Sequence, residues 1–298
     1  MAIGLITYQD TTTRPEDVTD LITNVDFKST PFMSSIGESV ATNTLHEWLN
    51  DTYASAATNA GIEGADVSVV DLTAPARSTN VVQLFQKVIT VSDTEIAIPH
   101  YGMNDPFAYQ TTKKLTETAR DMEKAFIAGT RASGSSGVAR QMDGAIALIT
   151  TNKTARASGT CFSETEFNDQ LQDIYTNGAD ETVDLVLTGA YLKRVIDRFN
   201  TKTTTNQQAA DFTQTLRVET YVSAFGEHRI ALSREVPNTG VLAVDTGKFR
   251  KAWLVNRRPS IKPLGKTGSS TKGLLEGEAT LEALNQKSSA YRSGFFVG

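Results

Sequence analysis

Two glycine-containing stretches have residue types that could carry out chemistry. Gly265-Lys266-Thr267 has the order of residues that ends a phosphate-binding loop, but Ser260 stands where the first glycine is required and Pro263 interrupts the stretch. Gly134-Ser135-Ser136-Gly137 places serine between glycines, but Val138 occupies the position of the second glycine of a nucleophile elbow. We therefore expect neither phosphate binding nor acyl transfer at these places.

Histidines and carboxylates give no stronger indication of catalysis. His46, His100 and His228 are isolated, with no second histidine at the spacing of helical zinc ligands. Asp121 and Glu123 form a carboxylate pair of the kind that any solvated helix carries, and the sequence does not give the distance between their oxygens. We expect no catalytic residue, no metal and no cofactor. A carboxylate-dependent hydrolase stays open as an alternative.

The composition is that of a soluble globular protein. The chain has 298 residues, of which 39% are hydrophobic and 21% are charged, a balance that supports a sizeable buried core. The single cysteine, Cys161, excludes an internal disulfide framework and favours a reducing compartment. Because the N-terminus lacks a basic region and no stretch reaches about 20 apolar residues, we expect neither a signal peptide nor a membrane partner.

Charge is distributed unevenly along the chain. Residues 1–110 contain four basic and 14 acidic residues, whereas residues 246–298 contain ten basic and three acidic residues. A dedicated nucleic-acid binder would be basic as a whole, and the net charge here is -5. Complementary parts of the chain favour association between copies, with the acidic part of one copy against the basic part of the next. The alternative is an uneven but merely solvated charge distribution.

The elements that must position these residues are led by a long helix, predicted from Asn104 to Gly129. A capping residue and a proline open it, and Gly129 suits a left-handed turn at its end. Its apolar stripe has a four-three-four spacing and consists of Leu115, Ala119, Met122 and Phe126. We expect an aspartate at Leu115 or Phe126 to abolish folding or assembly.

Two candidate strands precede this helix, at Asn43–Ser55 and Ser78–Ile98. At ~3.3 Å per residue the second would be roughly 60 Å long, so it must project or bend. Both of its faces are half apolar, which predicts contact with another molecule on each side. Residues 56–77 are rich in small residues and predict a flexible tip, and residues 1–42 predict an arm.

Residues 141–255 predict a compact α/β unit. Ser163–Glu166 is a capping box that opens one helix, and Ala190–Phe199 predicts a second helix after a buried strand at Val183–Leu187. Asn200–Gln214 predicts a loop. The remaining predicted strands are Leu216–Val222, Arg229–Val236, Val241–Val244, Ala252–Val255 and, beyond the unit, Glu278–Asn285.

Several short motifs follow one another in a definite order along the chain. They are Thr30-Pro31-Phe32, His46-Glu47-Trp48 with Asp51, Glu63-Gly64, Asn80 with Gln83, Val91-Ser92-Asp93-Thr94, and the helical segment from Asp121 to Gly129. This ordered series covers nearly the whole chain and resembles that of tailed-bacteriophage major capsid proteins of the Hong Kong 97 fold.

The resemblance implies an α+β fold with an N-terminal arm, an extended loop hairpin, a spine helix, a peripheral sheet and a central axial domain. The implied boundaries are 1–42 for the arm, 43–98 for the loop hairpin, 99–140 for the peripheral domain with its spine helix, 141–255 for the axial domain and 256–298 for a return to the peripheral domain. The implied function is structural, not enzymatic. Hexamers and pentamers of the chain would form the icosahedral head shell around the double-stranded DNA genome of a tailed phage.

The resemblance also implies partners. The residues before Thr30 are too few for a fused scaffolding domain, so a separate scaffolding protein is expected, together with a portal and non-specific contact with packaged DNA. Assembly would take place in the cytoplasm of the host bacterium. An encapsulin-like compartment that encloses a cargo enzyme is the alternative within the same fold.

The resemblance finally suggests which charges meet between copies, because the extended loop of one copy lies over the next copy in this fold. The candidate residues on the loop, here called the loop acids, are Glu63, Asp66 and Asp71. The candidate residues on the neighbouring copy, here called the basic quartet, are Arg257, Arg258, Lys262 and Lys266.

Overall fold

Two β-sheets, a separate β-hairpin, one long α-helix and five shorter α-helices are the main elements of the described part of the chain. The computed structural model describes residues 30–297, apart from 65, 67–71, 73, 101–103, 178–182 and 200–219. The predicted arm before Thr30 and the predicted loop Asn200–Gln214 lie outside the described residues.

Six α-helices occur within the described ranges. They are α1 (Pro31–Ser35), α2 (Asp93–Ala97), α3 (Pro106–Ala128), α4 (Ala145–Leu148), α5 (Glu164–Thr176) and α6 (Ala190–Phe199). None of these is both long and apolar enough to cross a membrane.

Thirteen β-strands occur in the same part of the chain. They are β1 (Gly37–Ala41), β2 (Leu45–Asn50), β3 (Ala76–Val81), β4 (Gln83–Ser92), β5 (Lys153–Thr160), β6 (Leu185–Thr188), β7 (Thr220–Ser223), β8 (Gly226–Leu232), β9 (Val241–Val244), β10 (Phe249–Leu254), β11 (Ser260–Leu264), β12 (Ser270–Ala283) and β13 (Ala290–Phe295).

The long strand β12 organises the first sheet. It pairs with β10 and β11, and β4 also pairs with it, while β1 adds to β10 in parallel. The second sheet has the strand order β5-β13-β9-β6-β8-β7. One apolar core lies among the first sheet, α3 and parts of the second sheet, and another lies among the second sheet, α5 and α6.

The long helix α3 begins as predicted but ends differently. The Asp105 side chain accepts hydrogen bonds from two backbone amides of the first turn, at 2.9 and 3.2 Å. Gly129 has φ -59°, so the predicted left-handed turn is wrong. Glycine is required there for space, because an added Cβ would lie 2.5 Å from the carbonyl oxygen of Ala125 and 2.6 Å from that of Met142.

The buried face of α3 is rotated from the predicted stripe. Its buried residues are Pro106, Thr118, Met122, Glu123, Phe126 and Ile127. Met122 and Phe126 confirm the prediction, but Leu115 is 48% exposed and its assignment to the core is wrong. The spacing gave the right period, but the direction of the buried face depends on the sheet and on α1 and α4, which pack against the helix.

The predicted strand Ser78–Ile98 bends and divides. β3 ends at Val81, Val82 interrupts the pairing, and α2 replaces the end of the predicted strand. Val82 is fully buried and packs with Ala41 and Ala252. The two halves therefore go to different sheets, with β3 in a hairpin with β2 and β4 beside β12.

The two faces of β4 differ in exposure. Phe85 and Ile89 are buried against the core, whereas Val88 and Leu84 are exposed on the opposite face. The prediction that both faces need another molecule is therefore wrong for one face, which α3 covers within the same chain.

Strand pairing departs from the predicted boundaries at two places. β10, predicted within the 141–255 unit, pairs in the first sheet between β1 and β12. β13, predicted within the returning segment 256–298, pairs in the second sheet between β5 and β9. A local apolar pattern specifies a strand but not its partner, because pairing depends on contacts that are distant in sequence.

Local signals in the second part of the chain are confirmed. The Ser163 half of the predicted capping box forms, since Ser163 Oγ accepts a hydrogen bond from the Glu166 amide at 3.3 Å, whereas the Glu166 carboxylate accepts from Arg156 and Arg292. The helix α6 has the predicted bounds, Ala190–Phe199, and so does the strand β9, Val241–Val244.

Candidate assembly surfaces

The base of the β2–β3 hairpin is joined to the rest of the chain by one buried amide. Asn80 Nδ2 donates to the carbonyl oxygens of Asp143 and Leu281, at 3.0 and 2.8 Å. Asn80 Oδ1 accepts from the amides of Val81 and Asp143, at 2.8 and 2.9 Å. Both donors and both acceptor positions are used. One side chain therefore links β3, the segment after α3, and β12.

Further hydrogen bonds hold the same base. Trp48 Nε1 donates to the Ala283 carbonyl at 2.8 Å, and Thr280 Oγ1 donates to the Val81 carbonyl at 3.0 Å. The Gln83 side chain accepts from an amide of the segment after α3 at 3.2 Å. A buried polar group left without its partner costs about 1–3 kcal/mol. These hydrogen bonds therefore hold the base of the hairpin firmly against the first sheet and the segment after α3.

Beyond this base the hairpin opens into an extended loop. Its described residues from 51 to 64 are all exposed and form neither strand nor helix. Tyr53, Ile62 and Leu72 present large apolar side chains with almost their whole surface in solvent. These exposed apolar side chains make the loop a candidate surface for contact with another molecule.

The two described loop acids do not meet the basic quartet within the chain. Glu63 and Asp66 are exposed on the loop, and within the part of the chain that the structure describes neither forms an ion pair. Asp71 lies outside the described residues.

Each member of the basic quartet has a carboxylate partner in its own chain. The pairs are Arg257 with Glu276 and with Glu278 at 2.8 Å each, Arg258 with Glu38 at 2.8 Å, Lys262 with Glu276 at 2.6 Å, and Lys266 with Asp93 at 3.1 Å. The side chains of Arg258 and Lys266 are nevertheless 65% and 61% exposed. These two cations can therefore contact another copy while keeping their own partners.

The carboxylates beside the quartet are held in their charged form. Hydrogen bonds and charge from Lys262 and Arg257 keep the pKa of Glu276 below its ordinary value. Hydrogen bonds from Lys266 and Thr271 lower the pKa of Asp93 in the same way. The surface is therefore a patch of mixed charge at neutral pH, with no large excess of either sign.

A buried carboxylate lies on α3 at a position that the sequence pattern did not predict to be buried. Glu123 Oε1 and Oε2 accept from the backbone amides of Phe32 and Met33, at 2.8 and 2.7 Å. Burial raises the pKa of Glu123 although both amides favour its charged form. Its interpretation as half of a solvated pair with Asp121 is wrong. Its position next to Met122, on the same helical face, is the signal that could have revealed it.

The stretches first considered for chemistry have structural roles. Gly265-Lys266-Thr267 lies in the connection between β11 and β12, so a strand follows it in place of the helix that a phosphate-binding loop needs. Gly134 to Gly137 lies in a tight turn closed by hydrogen bonds between Ser135 and Val138. Among the described residues, no group of three or more His, Cys, Asp or Glu could hold a metal ion.

One serine–histidine contact is as short as the hydrogen bond between a catalytic serine and its histidine. His228 Nε2 lies 2.7 Å from Ser223 Oγ, and His228 Nδ1 faces the carbonyl of Val183. The imidazole is fully buried, and burial lowers the pKa of His228. Ser223 also accepts from the Phe225 amide at 3.0 Å. The pair therefore fastens the β7–β8 turn.

The arrangement of sheets, long helix and extended loop is shared with solved capsid structures. The capsid of a native GTA particle superposes with a TM-score of 0.69 at 12% identity, covering 97% of this chain and 98% of the other. The capsid of cyanophage A-1(L) gives 0.67 at 13% identity, covering 97% and 99%. The chain has the α+β fold of Hong Kong 97-type phage capsid proteins, as the sequence predicted.

The fold by itself does not separate phage capsids from encapsulins. The holo-SrpI encapsulin of Synechococcus elongatus PCC 7942 gives a TM-score of 0.58 at 11% identity, covering 92% of each chain. The distinction has to come from sequence.

Sequence comparison makes that distinction. The model of the family described as SU10 major capsid protein matches residues 5–294, so the chain belongs to this family. The major capsid protein of Escherichia phage Phieco32 is 34% identical over 103 residues, which span 34% of this chain and 29% of that protein. The chain is a major capsid protein of a phage shell, and the encapsulin and hydrolase alternatives are not favoured.

Proposed function

We propose that the chain forms the icosahedral head shell of a tailed phage, built from hexamers and pentamers and assembled in the cytoplasm of the host bacterium. The observation that carries this proposal is the extended loop, whose described residues 51–64 are all exposed. A loop with exposed Tyr53 and Ile62 gains stability only when a second surface covers it. A neighbouring copy supplies such a surface at every position of a shell.

The loop acids and the basic quartet are the proposed contact between neighbouring copies. Glu63 and Asp66 are exposed and unpaired within the described chain, and Arg258 and Lys266 keep most of their side-chain surface in solvent. Exposed ion pairs are individually weak, but a shell repeats each contact many times. The charges therefore select the register of a contact that apolar side chains of the loop stabilise.

The remaining partners are a separate scaffolding protein, a portal and packaged double-stranded DNA. A net charge of -5 suits a container for DNA, because a basic inner wall would bind the phosphates and oppose movement of the genome. The shell has a structural role without catalysis. The structural role of the buried His228, which joins Ser223 to the Val183 carbonyl, supports this.

Deleting residues 57–74 tests the proposed function. The base of the hairpin keeps its hydrogen bonds through Asn80 and Trp48, so the shortened chain should fold with an unchanged circular dichroism spectrum and melting temperature. It should form no closed shell in sedimentation velocity or negative-stain electron microscopy. The matched control replaces the same residues by glycine and serine at equal length, and this control should also fail to assemble. Normal shells from the deletion, or loss of the fold, would contradict the proposal.

A further inference from the structure

One edge of the strand β4 is unpaired within the described part of the chain. β4 pairs with β12, and no other described strand pairs with it. The Asp93 amide donates to the Ser269 carbonyl at 3.2 Å, which fixes the phase of the hydrogen bonds between β4 and β12. Because opposite residues of an antiparallel pair alternate between bonded and non-bonded, every second residue of β4 turns its N–H and C=O away from β12. These residues, here called the edge residues, are Leu84, Gln86, Val88 and Thr90.

Two grooves lie beside this edge. One has a volume of about 510 Å³ and is lined by Leu84, Gln86 and residues of the turn segment 133–140. The other has a volume of about 420 Å³ and lies between residues 88–92 and the first turns of α3. Because consecutive side chains of a strand point to opposite faces, a groove lined by five consecutive residues runs along the edge of the strand. The edge residues therefore face open space along most of β4.

A free strand edge of this length is a template for another strand. The features that usually protect such an edge are absent from β4, which contains no proline and pairs with β12 without a bulge. Its lysine, Lys87, is held by Glu117 and Asp121 of α3. Val88 on the edge and Val138 beside the first groove are each 56% exposed. The edge is thus suited to be covered by a further chain.

Residues 51–62, the outgoing leg of the extended loop, have the properties of such a strand. They are exposed, contain no proline and form no backbone–backbone hydrogen bond with other described residues. Residues 54–61 have only small side chains, which allow a strand to lie close to α3 and to the turn segment. At ~3.3 Å per residue the leg spans roughly 40 Å, which is enough to cover β4.

Charge also favours the loop as the added strand. The described loop contains Asp51 and Glu63 among its acidic residues and no basic residue. Lys114 lines one groove and Arg140 the other, and each also pairs with a carboxylate of its own chain. Glu95 adds one negative charge to the second groove. With a cation at each groove, an acidic segment is attracted more strongly than a basic one.

We propose that residues 51–62 of one copy add a strand to the free edge of β4 in the next copy. The inference rests on the proposed shell and names the surface that receives the loop. A strand parallel to β4 brings the loop acid Glu63 to the end of β4, where Lys266 of the basic quartet lies 3.1 Å from Asp93. Backbone hydrogen bonds stabilise this contact, and the charges select its register.

Hydrogen exchange of single amides, compared between free full-length chains and purified shells, tests the added strand. Pairing should slow exchange at the edge residues about a hundredfold in the shell, and alternate amides of residues 51–62 should slow with them. Phe85, Lys87 and Ile89 are the internal control, because their amides already pair with β12 and should be slow in both states.

Two results of this measurement would overturn the added strand. They are edge amides that exchange equally fast in free chains and in shells, and edge amides that slow while those of residues 51–62 stay fast. In either case shells have formed, so the proposed function stands. A wild-type chain that forms no shell would instead contradict the proposed function, and this contact with it.

Thr90→Pro tests the same edge by removing one outward amide. Proline is tolerated on an edge strand where its missing N–H faces away from the ladder, so this chain should fold with a melting temperature close to that of the wild type. Thr90→Ala is the matched control, because it shortens the same exposed side chain but keeps the amide. We expect about tenfold fewer shells from Thr90→Pro than from Thr90→Ala, the effect of one lost hydrogen bond on an equilibrium. Equal assembly of the two folded variants would count against the added strand.

Discussion

At the scale of single residues, the identity of a side chain matters most where it completes a set of hydrogen bonds. Asn80 supplies two donors and two acceptor positions to three segments. Aspartate in its place would set a carboxylate oxygen, which cannot donate, against the carbonyl oxygens of Asp143 and Leu281. Glu123 likewise satisfies two amides at the start of α1, where the Thr30 side chain makes no cap. Such residues fix how the hairpin and the first described helix join the rest of the chain.

Exposure separates two positions of α3 that the sequence pattern treated alike. Phe126→Asp places a charge in a fully buried site, and we expect it to cost several kcal/mol and leave little folded protein. Leu115→Asp changes a side chain that is 48% exposed, and the melting temperature should fall by only a few degrees. Thermal unfolding followed by circular dichroism measures both. An unfolded Leu115→Asp chain would show that Leu115 belongs to the core.

At the scale of elements, the sequence predicted best what depends on neighbouring residues. The bounds of α6 and the cap at Ser163 follow from apolar period and capping chemistry, which act within one turn of helix. The partners of β10 and β13 could not be predicted, because their pairing joins parts of the chain that are far apart in sequence. The bend at Val82 arises similarly, from packing against Ala41 and Ala252.

For the candidate assembly surface, too, the sequence predicted local features but not contacts between distant parts of the chain. The lack of a regular pattern after residue 56 agrees with the described residues up to 64, which form neither strand nor helix, but the predicted tip extended two residues too far, because β3 begins at Ala76. The carboxylate partners of Arg258 and Lys266 could not be predicted, because Glu38 and Asp93 are more than 170 positions away in sequence. Such pairs become visible only after the strands have been brought together.

The end of α3 provides a test at this scale. A methyl group on Gly129 would lie 2.5 Å from the carbonyl oxygen of Ala125, a backbone atom that cannot move aside as the end of a flexible side chain can. Gly129→Ala should therefore lower the free energy of unfolding by about 1–3 kcal/mol. Gly61→Ala is the matched control, since nothing lies within 4 Å of its added Cβ. Denaturant titration of the two variants measures the difference, and equal stabilities would contradict the close approach.

At the scale of the whole molecule, the acidic and basic parts of the chain pair partly within one copy. β1 and β4 belong to the acidic first third, and they lie in the same sheet as β10 and β11 of the basic last part. Glu38 and Asp93 are thereby brought to Arg258 and Lys266. Glu63 and Asp66 are not part of this internal pairing among the described residues, and the proposed contact between copies uses the exposure that the two cations retain.

Reversing these two cations tests the proposed contact. Arg258→Glu with Lys266→Glu should reduce the assembled fraction in sedimentation velocity, and more so at low salt, where repulsion from the loop acids of the next copy is least screened. Adding Glu63→Lys and Asp66→Lys to the same chain should restore part of the assembly, because the reversed charges are again complementary.

The control has to separate this contact from the pairs within the chain. Glu38→Gln with Asp93→Asn removes the internal partners but leaves both cations in place, so assembly should persist if the cations act on the neighbouring copy. Loss of assembly in this control would instead assign the cations to the stability of the first sheet. The variant with all four substitutions is compared with the variant in which only Arg258 and Lys266 are reversed. If the control assembles but adding Glu63→Lys and Asp66→Lys restores no assembly, then these loop acids and these cations do not meet.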